Sequence, residues 1–452
     1  MPLCPDPRQP RKRRHYTAWL GQAVLIGLLT SPSAQAMSLA QALDFSLGHD
    51  SEFLAAQKAL VASEERSRQS RARLGPSLSA ELDARRVDTE FVHLRTDLTL
   101  NQKSYAVTLR QPLFNLALAR GLTQSEQRLE ASRSVLTQAR QDAVLRLVSA
   151  YFDILVAQDS LASVRAEKTA IAEQLAQAQR SFEVGTATIT DQQEARARFD
   201  LASAREISAQ NQLNIARSAL GLLTRQPTPE TLSGVGPGFR IPAPTPQNIE
   251  AWVEAARTQN PGVVRARLLA EAARTEIGRR RGADLPSLAL SAAHSGNWES
   301  TTPTDETRRN VVGLTLTIPL MGGPLPAEVR EAVALSEEES FRAQGILLAA
   351  EQATRSAYFS VTAGLAQVRA LEAAEQSSQL ALASNKLGYE VGVRINIDVL
   401  NAQQQVFAAQ RDLSKARYDT LLASLRLKAA TGSLSTEDII AISKTIADGK
   451  NP

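Results

Sequence analysis

The feature that most constrains this chain is repetition at long range. A stretch beginning at Tyr151 (YFDILVAQ) runs on to FEVGTATITD, and a second beginning at Tyr358 (YFSVTAGL) runs on to YEVGVRINID. A constant offset of 207 residues relates Tyr151 to Tyr358, Phe182 to Tyr389, Glu183 to Glu390, Val184 to Val391, Gly185 to Gly392 and Asp191 to Asp398. Upstream the offset is 210 for Asp50 and Asn260 and for Pro76 and Pro286, and returns to 207 at Pro112 and Pro319. Self-similarity of this kind means that one structural unit of about 200 residues has been duplicated in tandem. The 452 residues are therefore one doubled unit rather than three ordinary domains, and the scarcity of aromatic anchors, 20 in all, fits alanine-rich helices better than several globular cores.

Each unit has the same internal order. In the first, a helical pattern runs from Leu39 to about Arg73 and stops at Leu74-Gly75-Pro76. Alternation follows: Leu78, Ala80, Leu82 and Ala84 share one face, and after a polar interval Tyr105, Val107 and Leu109 do the same. The second unit repeats this with Leu288 and Leu290, a polar loop around 296–309, and Val312, Leu314, Leu316 and Ile318. Four strands per chain result. Their alternation fits a half-buried sheet in a soluble domain as well as the wall of a membrane barrel, whose strands need only about 9–11 residues. Beyond the N-terminal region no run of 18 apolar residues occurs, so a helical membrane span is excluded.

Between Phe114 and Phe182 there is no proline and one glycine, Gly121. A continuous helix of about 65 residues would reach roughly 100 Å. Leu147, Tyr151, Ile154, Leu161, Val164, Ile171, Leu175 and Phe182 give it a coiled-coil seam. Gly185 and Gly392 then suit the left-handed conformation that closes a helix. Asp191 is expected to cap the returning helix with Glu194 completing a capping box, and Asn396 or Asp398 to cap its counterpart. The domain plan is 1–36 targeting segment, 37–226 first repeat, 227–247 a Pro/Gly-rich linker, 248–432 second repeat and 433–452 a C-terminal segment.

Charge and cysteine exclude several function classes. The formal charge of +4 belongs to the first 36 residues, where Arg8, Arg11, Lys12, Arg13 and Arg14 face only Asp6; the remainder holds 46 basic and 46 acidic residues. The basic cluster, the apolar run Ala18 to Leu29 and the small residues Ala34 and Ala36 predict a secretory signal cleaved after Ala36. Cys4 precedes that run, so the exported chain is expected to be cysteine-free and unlipidated, and no nucleic-acid partner is implied. His49, His93 and His294 lie outside metal-ligand spacing of one another. No metal, cofactor or catalytic motif is predicted, and Gly234-Val235-Gly236-Pro237-Gly238 lacks the lysine a phosphate loop requires.

The paired turn motifs, the LGPSL and DLPSL entries to the strands, the IPLMGG after the last strand and the duplication together resemble the TolC-type outer-membrane efflux protein family, across essentially all of the chain after Ala36. The resemblance implies a mainly α fold with four β-strands per chain: a tandem-duplicated α-helical barrel beneath a trimeric, 12-stranded transmembrane β-barrel. Strand arithmetic agrees, because four strands cannot close a barrel whose smallest bacterial form has eight, whereas three copies supply twelve. It implies an exit duct in the outer membrane, not an enzyme, served by a periplasmic adaptor and an inner-membrane ABC or proton-driven transporter. It places a closing constriction at Asp159, Tyr389, Arg394 and Asp398, with Asn401 where close relatives carry a second acid, and adaptor docking at Val184, Gly185, Val391 and Gly392. The unlipidated start resembles members serving type I secretion of a protein or toxin; drug efflux is the alternative cargo. A soluble periplasmic coiled-coil adaptor or scaffold is the alternative of another class.

Overall fold

The computed structural model describes residues 38–93, 95–229, 232, 234, 240–299, 306–320 and 325–448; the expected cleavage residues Ala34 and Ala36, and most of 234–238, lie outside them. The first repeat contributes α1 (Leu39–His49), α2 (Ser51–Ala72), β1 (Ser77–Phe91), β2 (Thr96–Phe114), α3 (Leu116–Glu183) and α4 (Ile189–Thr224). The second contributes α5 (Ile249–Gln259), α6 (Pro261–Gly282), β3 (Ser287–Glu299), β4 (Glu306–Thr317), α7 (Leu325–Glu390) and α8 (Asn396–Ala430), before α9 (Thr436–Asp448). The helical segment expected from Leu39 to Arg73 is two helices. Asp50 takes an extended conformation between them and caps α2 by accepting the Phe53 amide at 2.8 Å. Asn260 does the same for α6 through the Gly262 and Val263 amides. Burial alone would push the Asp50 carboxyl up, but Arg146 and the Phe53 amide hold it below the usual carboxylate range.

The four strands form one antiparallel sheet in the order β1-β2-β3-β4. Its register sorts the alternating residues into two unlike faces. Leu78, Leu109, Ala292 and Val312 make one cross-strand row, with Ala80, Val107, His294 and Asn310 in the next. The opposite face carries Glu81, Ala106, Ser295 and Arg309, and beside them Asp83, Ser104, Asn297 and Thr307. On the apolar face Leu78, Leu82, Val312, Leu314 and Leu316 are all exposed. The apolar rows thus meet no core of their own. Within them the His294 ring is satisfied on both sides, by the Tyr105 hydroxyl at 2.9 Å and the Asn310 amide oxygen at 2.5 Å. Tyr105 also packs against Trp298 and lies across Gly296.

Helices follow the strands they join. α2 lies beside α3, α3 beside α6 and α6 beside α7; farther from the sheet α3 packs on α4 and α8, and α7 on α8. The predicted seam is buried in this layer from Leu147 to Leu175, whereas Phe182, near the turn, is 41% exposed. Halfway along, α1, α3, α4, α8 and α9 share the largest core, which includes Leu147, Tyr151, Ile154, Leu220, Leu425 and Ile439. Leu232 and Ile241 of the proline-rich connection pack on it.

A side chain at 296 has no room: its Cβ would fall 2.3 Å from Cε1 of Tyr105, while a Cβ at Gly313 would meet nothing within 4 Å. Gly296→Val should therefore destabilise the detergent-solubilised protein by about 1–3 kcal/mol through overpacking. Gly313→Val should not, and thermal unfolding of the two variants side by side decides it.

Candidate functional site

Each long hairpin ends in the same turn. α3 terminates at Glu183, Gly185 takes φ +78°, and the Ser181 carbonyl accepts the amides of Thr186 and Ala187. α7 terminates at Glu390, Gly392 takes φ +76°, and the Gly388 carbonyl accepts the amides of Val393 and Arg394. Only glycine adopts this left-handed geometry without strain, and the turn-closing bonds satisfy carbonyls the helix leaves open. Val184, Val391, Val393 and Ile395 project from the two turns with more than half their surface exposed.

The caps differ from the sequence expectation. Thr188 caps α4 and Asp191 is its reciprocal partner, accepting from the Thr188 amide at 3.0 Å and hydroxyl at 2.7 Å. Glu194 takes no part. The capping box sits three residues earlier because Ile189 already has helical geometry after the glycine turn. For α8 neither Asn396 nor Asp398 caps: Ile395 holds the N-cap position without a side-chain bond. Asn396 is buried, and its amide oxygen accepts from Gln174 of α3 at 2.5 Å.

The expected constriction residues separate into two groups. Tyr389, Arg394, Asp398 and Asn401 cluster at the second turn. Arg394 reaches Asp398 at 3.6 Å, and Asn401 accepts a hydrogen bond from Arg198 of α4 at 2.8 Å. Tyr389 is half-buried, with no hydrogen-bond partner for its hydroxyl among the described residues. Asp159 is elsewhere: it lies 24 residues before the end of α3, about 36 Å along the helix, where it accepts from Ser414. The acid placed at the first turn is Asp191, the repeat mate of Asp398. The 207-residue offset pointed to it.

A second feature was invisible in the sequence. Glu167 of α3 is 1% exposed, and its two oxygens are held by Arg205 of α4 at 3.0 Å and Arg411 of α8 at 2.9 Å. One carboxylate thereby ties the first hairpin to the second. A buried charge gains its stability only from such partners. The repeat mate of Glu167 is Ala374, so the clamp exists once per chain.

Comparison with known proteins follows the duplication. The family model described as "Outer membrane efflux protein" matches twice, over residues 42–224 and 252–433. The chain is 30% identical over 450 residues to the alkaline protease secretion protein AprF of Pseudomonas aeruginosa, covering 97% of this chain and 93% of that one. It is 30% identical over 364 residues to the outer membrane protein TolC of Escherichia coli, covering 77% and 73%. Among solved structures, the outer membrane protein VceC of Vibrio cholerae superposes with a TM-score of 0.76 at 18% identity, covering 87% of this chain and 96% of that one.

The clamp yields a sign-specific expectation. Arg411→Met leaves the buried Glu167 with one partner and should cost about 3 kcal/mol. Glu167→Met removes the buried charge and leaves two partly exposed arginines that water can reach, so it should cost less. Denaturant unfolding of both variants tests the order; the reverse order would refute the clamp.

Proposed function

The chain belongs to the outer membrane efflux protein family, and on that premise we propose that it is the outer-membrane exit duct of a tripartite type I secretion system that exports a protein. It is an outer-membrane transport protein and not an enzyme. The observation that carries the duct reading is the sheet: an exposed apolar face backed by a polar one, with β1 and β4 each paired on one edge only. Open edges cannot stand in hydrocarbon, so neighbouring copies must close them. Three copies, β4 of each against β1 of the next, make twelve strands, an even count within the range of such barrels. The helices call for the same ring. α7 exposes Phe341, Leu348, Phe359 and Leu380, and α4 exposes Leu201, Ile215 and Leu222. Apolar stripes on opposite margins of one layer suit a head-to-tail interface that closes by rotation.

Protein cargo is favoured by the full-length similarity to a relative named for alkaline protease secretion. The description of the matching family names efflux, and drug export is the second reading on that ground alone. A soluble adaptor is disfavoured by the exposed apolar rows. The duct would receive cargo from an inner-membrane transporter through a periplasmic adaptor, with the exposed Val184 and Val391 and their glycines, Gly185 and Gly392, as docking tips. Constriction falls to the second turn. Tyr389, Arg394 and Asp398 stand at the end of α7 and the start of α8, and Arg198 tethers Asn401 to the first hairpin. Asp398 copies around a threefold axis would focus negative potential there and favour cations.

Reconstituted protein should conduct in a planar bilayer. Arg394→Ser and Tyr389→Phe should raise that conductance or antibiotic leakage into cells by several-fold, and Asp159→Ala should change neither. A soluble, silent protein would refute the duct; leakage from the Asp159 variant alone would refute this placement of the constriction.

A further inference from the structure

Close to the sheet, α2, α3, α6 and α7 lie side by side and enclose a groove of about 680 Å³. Residues from all four helices line it, from Arg66 of α2 to Leu335 of α7. α2 and α7 flank α3 and α6, so a groove reached from all four lies across one face of the layer; on the duct reading that face lines the lumen. Its walls carry Arg66, Arg73, Arg128 and Arg279, against one lining carboxylate, Glu276. That carboxylate is already committed. Arg279 and Arg280 both bond to it, at 2.5 and 2.7 Å, and although burial opposes ionisation these bonds hold its pKa down to about 2. Arg66, Arg73 and Arg128 are exposed and form no ion pair among the described residues. Room for a ligand comes from small residues on the floor, among them Ser63, Ser125 and Gly121. Gly121 lies within the continuous 68-residue α3, at a position where alanine would favour the helix by about 1 kcal/mol.

We propose that this groove is an anion-binding collar in the duct wall, taking carboxylate-rich stretches of the exported polypeptide as they pass. The proposal rests on the duct reading above. Three copies would close the arginines into a ring, and a low-dielectric wall lined by one sign of charge raises the local concentration of its counter-ions. Guanidinium groups suit carboxylates because each can bond two oxygens at once. The collar lies at the opposite end of α3 from the acidic turns, so cargo would leave a cation-favouring entrance for an anion-favouring exit.

The test uses the full-length protein in planar bilayers at low salt, with poly-L-glutamate added on the side of the sheet. The polymer should block the parent, and Arg66→Gln/Arg128→Gln should weaken the block about tenfold and shift the reversal potential toward cations. Arg73→Gln alone should shift both in the same direction, so a failure of the double variant to assemble leaves the question decidable. Poly-L-lysine should not block at the same site. Parent and variants that conduct alike, with equal block and equal reversal potential, would overturn the collar while leaving the duct intact. Absence of any conductance in the parent would remove the duct reading and the collar with it.

Discussion

The whole design depends on one unmet demand, the unpaired backbone groups along the outer edges of β1 and β4. Water would satisfy them, hydrocarbon does not, and each group left bare in lipid costs several kcal/mol. A chain that presents Leu78, Val312, Leu314 and Leu316 outward cannot meet that demand alone. Assembly is then a condition of the fold. Because α2 leads into β1 and β4 leads into α7, closing the sheet with neighbouring copies would fix which helices meet across each boundary.

Duplication gives two hairpins of similar build that nevertheless differ. The differences lie in side-chain chemistry laid over a common backbone. Both turns close with a left-handed glycine and the same pair of amides on one carbonyl. Beyond that, α4 is capped by Thr188 and Asp191, whereas α8 begins without a side-chain cap. The start of α8 is instead held by contacts to the first hairpin, through Asn396 to Gln174 and Asn401 to Arg198. The start of α8 thus depends on long-range contacts where the start of α4 depends on its own cap.

What the sequence disclosed, and what it hid, follows the same division. Strands, long helices and turns were legible because they rest on local periodicity, on glycine and on proline, and the repeat supplied each signal twice. Helix caps were legible only in kind: Thr188 and Asp191 both fit, and the geometry after Gly185 selected the earlier one. Asp159 lies apart from the residues at the second turn: its residue type was matched without its position along a helix of about 100 Å. The repeat offset itself ties Asp191 to Asp398. Glu167 was hidden for a different reason. In sequence it is one of many charges on a wetted helix face, and only the packing of α4 and α8 around α3 turns it into a buried link.

The even balance of 46 basic and 46 acidic residues after Ala36 says nothing of where each sign faces. In this fold most ion pairs lie within or between neighbouring helices and neutralise one another, as Arg355 and Glu250 or Lys428 and Asp438 do. Pairs that lie fully at the surface, as Arg68 and Glu65 do, contribute little to stability. Arg66, Arg73 and Arg128, which line the groove near the sheet, are exposed and form no ion pair among the described residues. Unpaired charges gathered on one stretch of an otherwise balanced wall set the local field there, whatever the net charge. In the proposed duct, a carboxylate-rich segment would find attraction beyond the turns, on the side toward which export proceeds.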